Sequence, residues 1–126
     1  MTAVITNIGL QLLARRLKGE WNEPIYIAWG TGAGDASITD TTLFTEASES
    51  RTAGVVDLIG IVTDYDTYRV TGVITSNGTK TITNWGLFDA SVGGNLLAKE
   101  SINPGTSLTL GQMLTFIFRF QFERST

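Results

Sequence analysis

The strongest constraint on what this chain can fold into is its last regular stretch, "MLTFIFRFQF" at residues 113–122. Leu114, Phe116, Phe118, Phe120 and Phe122 fall on one side of an extended backbone, and Thr115, Ile117, Arg119, Gln121 and Glu123 fall on the other. That period of two belongs to a β-strand with one face turned to a core. Each buried aromatic ring contributes roughly 1.5–3 kcal/mol, so this strand is expected to form the spine of the core.

The rest of the chain repeats the theme. "PIYIAW", "AGVVDLIGIV", "TYRVTGVIT", "KTITNWGLF", "NLLAKESI" and "SLTL" are rich in β-branched and aromatic residues, with Gly, Asn, Asp and Ser between them. "SNGT" at 76–79 is a hairpin signal because Asn-Gly suits a type I′ turn, and "SVGGN" at 91–95 makes a second. Only "ITNIGLQLLARRLKG" carries a helical period. Thr6 or Asn7 can cap it, Ile8, Leu12, Leu13 and Leu17 share one face, three cations crowd its last turn, and Gly19 can stop it. The expected fold is one mainly β domain over residues 1–126, an antiparallel β-sandwich with one short N-terminal amphipathic α-helix. The helix is placed at about 6–18, the strands from about 24 onward and a long loop at about 34–52.

Composition then removes whole classes of chemistry. The chain has no cysteine and no histidine, which excludes thiolate nucleophiles, disulfides, Ser–His and Cys–His pairs and the usual zinc sites. Twelve acidic against nine basic residues give a net charge of −3, which argues against a nucleic-acid partner. Nothing approaches the apolar length of a membrane span, and the N-terminus lacks a secretory layout, so synthesis in the cytosol without a membrane partner is expected.

Two stretches could carry a site. "YIAWGTGAGD" at 26–35 has the spacing G-x-G-x-G, with no GK[ST] to reach a phosphate and no repeat to bind calcium, so it reads as a sharp turn at the end of a strand. The connection that follows, up to Thr52, is long and polar, as loops with a function or a partner tend to be. Its Asp35, Asp40, Glu46 and Glu49 could chelate calcium or act as an acid–base pair, although scattered loop carboxylates are usually solvated. No catalytic residue, metal ligand or cofactor is assigned. Trp21 and Trp29, near strand ends, are candidate interface anchors together with Asp35, Asp40, Glu46, Glu49 and Arg51.

Four phrases stand in a fixed order: "ITNIGLQLLARRL", "YIAWGTGAGD", "DTTLFTEASESR" and "WGLFDASVGGNLLA". Together they resemble a group of small structural proteins of tailed bacteriophages, from about Ile5 to Phe120. Thr6, Asn7 and Gly9 match that group's helix start, Gly30 and Gly32 its turn, and Asp40, Thr41, Leu43, Glu46 and Arg51 its loop. Gly86, Leu87, Phe88, Asp89, Gly93 and Gly94 match its hairpin. Two positions depart: Asn84 and Trp85 stand where the group often has an acid, and Arg51 lies one residue further from Glu46 than in the tighter pattern.

The resemblance implies a non-enzymatic virion protein, most concretely a decoration or cement protein on the capsid exterior. It would work as a homo-oligomer, a trimer at a three-fold position, bound to other virion proteins such as a major capsid protein. A tail-fibre, baseplate or adaptor subunit is the alternative location. A carbohydrate-binding β-sandwich, with its tryptophans as stacking surfaces, is the reading from another class. On the virion readings a partner is expected to order the polar 35–52 loop.

Overall fold

The structure, a computed structural model, describes residues 2–125. In chain order its elements are β1 (Thr2–Ile5), α1 (Asn7–Lys18), β2 (Tyr26–Gly30), β3 (Thr52–Ala53), β4 (Val55–Ile59), β5 (Thr67–Thr75), β6 (Lys80–Phe88), β7 (Leu96–Leu108) and β8 (Met113–Gln121). They form an antiparallel β-sandwich, with a five-stranded sheet ordered β1-β7-β6-β2-β3 facing a three-stranded sheet ordered β4-β5-β8.

Phe116 holds the two sheets together. Its ring lies 4.7 Å from that of Trp85 on β6 and meets Trp29 on β2 edge-on at 6.2 Å. Ile27, Val70, Ile74, Ile82, Leu87 and Leu97 complete the core around these rings. Both buried indoles satisfy their N–H groups with carboxylates: Trp29 donates to Glu49 at 2.9 Å and Trp85 to Glu100 at 2.8 Å.

The expected spine is displaced from β8 to β6. On the aromatic face of β8 only Phe116 is buried; Phe118 and Phe120 are half-buried and Phe122 is 59% exposed. The alternation is real, but cover runs out along the strand: Phe116 lies against Trp29 and Trp85, whereas Phe120 and Phe122 reach the open groove beside α1. Central strand β6 is buried continuously from Asn84 to Phe88 because both of its faces are covered, one by the opposite sheet and the other by the long loop.

Other boundaries shift for local reasons. The expected strand at "AGVVDLIGIV" splits into β3 and β4 and stops at Ile59, leaving Ile61 and Val62 in an exposed tip. "NLLAKESI" and "SLTL" join into one β7, which tolerates Pro104 because residues 102–105 fall where its pairing with β6 shifts register. Neither Asn77 nor Gly78 has positive φ, so the turn is not type I′; the Asn77 N–H instead donates to Glu49 at 2.9 Å. Strand β1, absent from the sequence reading, pairs with Ala98–Ser101 of β7.

Thr6 caps the helix by accepting from the Gly9 N–H at 2.9 Å, and Gly19 ends it in the left-handed region at φ 84°. Leu12 is buried and Leu13 half-buried, but Leu17, expected on the same inward face, is 93% exposed.

Phe116→Ala is therefore expected to cost about 3–5 kcal/mol, whereas Phe122→Ala should stay within roughly 0.5 kcal/mol of the parent. Urea-unfolding midpoints measure both, and equal losses at the two positions would contradict this division of the β8 face.

Candidate functional site

The long connection from Thr31 to Arg51 lies on the outer face of the five-stranded sheet. It is held there by bonds within its own chain, where a partner was the expected source of order. The glycine-rich turn provides the footing. A Cβ on Gly30 would sit 2.4 Å from the Phe44 carbonyl oxygen, one on Gly32 would meet Phe44 at 2.8 Å, and one on Gly34 would strike its ring at 2.7 Å. Gly34 alone of these three has positive φ, so Gly30 and Gly32 serve close backbone approach and not turning. The Asn84 side chain clamps the same residue, accepting from the Phe44 N–H at 3.0 Å and donating to its carbonyl at 3.1 Å.

Lys99 rises from β7 under this layer with its side chain fully buried. Its Nζ donates to Asp40 at 3.1 Å and to the Thr42 carbonyl at 2.9 Å, and lies 3.2 Å from the centre of the Phe44 ring. Asp40 also accepts from the Ser37 N–H at 2.8 Å, so one carboxylate shapes the loop and anchors it.

Arg51 closes the far end. It forms a bidentate pair with Glu46, both bonds at 2.9 Å, donates to the carbonyls of Ala90 and Gly93 at 2.9 and 2.7 Å, and stacks over Phe88 at 3.6 Å. The extra residue between Glu46 and Arg51 does not prevent their pairing. Glu49 points inward, accepting from Trp29, from the Asn77 N–H and, at 2.5 Å, from Lys80. Burial works to raise its pKa, but the bonds from Lys80, Asn77 and Trp29 prevail and hold it at about 2.

The sequence-nominated residues thus divide. Asp40, Glu46, Glu49 and Arg51 knit the loop to the sheet. Trp29 is 1% exposed and bonded to Glu49 inside the molecule, so it is a core residue and not an anchor at a rim. Trp21 lies just past the helix, half-buried at φ 58°, with the Arg15 guanidinium 4.6 Å above its ring. Asp35 is exposed. Lys99, Phe44 and Lys80 escaped the sequence reading, and Asn84 entered it only as a departure from the shared phrase. Only Lys99 carried a signal there, as a lone charge inside the apolar phrase "NLLAKESI".

Chemically, Asp40, Glu46 and Glu49 each face a cation of the same chain, which is a structural arrangement of carboxylates. Among the described residues no three His, Cys, Asp or Glu side chains cluster as metal ligands would. No protein-family model and no curated protein matches this chain.

Asp40→Ala should cost about 3–5 kcal/mol, because it leaves the buried Lys99 cation without its counter-charge. Chemical unfolding of this variant beside Asp40→Ala/Lys99→Met measures the effect; the double variant should recover part of the loss, and no recovery would show that Lys99 is not what Asp40 serves. Glu49, with its folded pKa below its ordinary 4.5, adds stability that is complete above pH 4.5 and lost as pH falls towards 2. The contribution is on the order of 3 kcal/mol. The melting-temperature gap between parent and Glu49→Gln should therefore close over that window; a constant gap would refute the linkage.

Proposed function

We propose that this protein is a non-enzymatic structural protein of a tailed-phage virion, most concretely a decoration protein that cements the capsid exterior. One observation carries the reading: the four phrases behind the resemblance meet in space as one interlocked unit. Thr6 of the first phrase donates to the Leu96 carbonyl of the last at 2.6 Å, and Gly9 lies against the Leu97 backbone. The glycines of the second phrase seat Phe44 of the third. Arg51 of the third binds the hairpin of the fourth at Ala90 and Gly93. Motifs that lock together in this way support a shared fold behind the shared phrases.

A rigid loop layer also suits a cement role. A preordered surface gives up little conformational entropy on docking, and a ligand that binds only the assembled shell stabilises it by RT ln(1 + [L]/Kd) per site. The candidate docking face is the loop-clad side of the five-stranded sheet, where Asp35, Ile38 and Thr39 are exposed.

Cryo-EM of purified particles tests the proposal. Regularly spaced copies on the shell are expected, and shells lacking the protein should rupture at lower temperature. Density confined to the tail would move the protein to a fibre, baseplate or adaptor role. Absence from purified particles would overturn the virion reading itself.

A further inference from the structure

The three-stranded sheet and the end of the helix leave a second, different surface uncovered. A groove of about 460 Å3 runs between α1 and the lower ends of β4, β5 and β8, walled by Leu13, Leu17, Val56, Leu58, Phe120 and Phe122, with Arg16 and Glu23 at its rim. Immediately beyond Leu58, the chain makes the Gly60–Asp66 tip that links β4 to β5. The tip presents Ile61 at 55%, Val62 at 78% and Tyr65 at 74% exposure. Large apolar side chains at the end of a hairpin are costly to leave in water.

The tip is nevertheless tied together by hydrogen bonds. The Asp66 carboxylate accepts the backbone N–H groups of Ile61, Val62 and Thr63, each at 3.0 Å, and the Thr67 hydroxyl at 2.8 Å. Tyr65 is held at φ 61°, a conformation a tyrosine adopts only when its surroundings impose it. The Asp66 carbonyl accepts from the Phe122 N–H at 2.9 Å, fastening the tip to the wall of the groove. Side chains set out in this way are preorganised for insertion into a pocket.

We infer that the tip and the groove form one self-complementary interface, through which a second copy of this chain docks about a two-fold axis, the tip of each copy filling the groove of the other. A projection and a recess side by side on one face are what an isologous contact needs, since each must meet the other at once. Charge is compatible with this: Asp64 on the tip and both Arg16 and Glu23 on the groove rim have no ion-pair partner among the described residues, and the two-fold contact would pair Asp64 of each copy with Arg16 of the other. The inference concerns self-association in solution and stands apart from the virion reading.

Sedimentation velocity on the purified full chain over a range of concentrations is the experiment. A reversible dimer is expected. Tyr65→Asp in the tip and Leu17→Glu in the groove should each weaken it by at least about thirtyfold, while far-UV circular dichroism and melting stay at parental values. Asp64→Arg or Arg16→Asp alone should weaken it roughly threefold to tenfold, and the two charge reversals combined should restore it. A chain that is monomeric at every concentration overturns the inference. So does an oligomer, the trimer expected for a capsid site included, that is indifferent to all four substitutions.

Discussion

The buried ammonium of Lys99 is the interaction on which the outer half of this molecule depends. A cation taken fully out of water costs several kcal/mol unless opposite charge and hydrogen bonds surround it. All of its partners, Asp40, the Thr42 carbonyl and the Phe44 ring, come from the long loop. Lifting the loop breaks all three contacts at once, so Lys99 is the main tie between loop and sheet, with the Ala36 N–H to Ser101 Oγ bond and the Asn7 N–H to Ile38 carbonyl bond, both at 2.7 Å, beside it. Burial of Leu43 beside Ala28, Phe88 and Leu96 adds an apolar term to the same closure. The glycines of the opening turn keep the backbone close enough for both to form at once.

The same strand organises the N-terminus by a different device. Between the Leu87–Ala98 and Phe88–Leu96 pairs the register of β6 against β7 shifts, placing Leu97 as an extra residue. Leu96 can thereby face the loop while Leu97 and Ala98 both join the sandwich core. The shift also frees carbonyls for the helix start: Thr6 donates its hydroxyl to Leu96 and its N–H to Leu97 at 3.1 Å. Thr6 is thus both helix cap and bracket to the sheet. Gly9 has no side chain because the Leu97 backbone occupies that space, with its carbonyl oxygen 2.2 Å from where a Cβ would lie.

What could be read in advance follows from which forces are local. Strand periodicity, the helix with its threonine cap and glycine stop, and the sandwich class depend on near neighbours, and the ranges of β5 and β6 came out residue for residue. Depth of burial is not local. Phe118 and Phe122 have the same pattern as Phe116, and what separates them is how far along β8 the cover from the opposing sheet extends. The loop misled for a related reason: its polar composition implies exposure, yet its carboxylates find cations on β6 and β7 that lie 31 and 59 residues away in sequence. Glycine spacing spoke for a turn, whereas Gly30 and Gly32 answer to the backbone of Phe44, twelve or more residues later, and Gly34 to its ring.

These two faces differ in the physics available to a partner. Over the five-stranded sheet Asp40, Glu46 and Glu49 are already paired, so apart from exposed Asp35 a partner there meets a polar surface that it matches by shape and by rim hydrogen bonds. Over the three-stranded sheet the rings of Phe120 and Phe122, 4.7 Å apart, stand at an open groove beside the apolar tip, and burial of that surface is favourable for whatever covers it. The groove and tip belong mainly to α1, β4, β5 and β8, and of β7 only Leu97 lines the groove, so none of the contacts of Lys99 lies in it. Self-association through one sheet, as inferred above, therefore leaves the other sheet's outer face free.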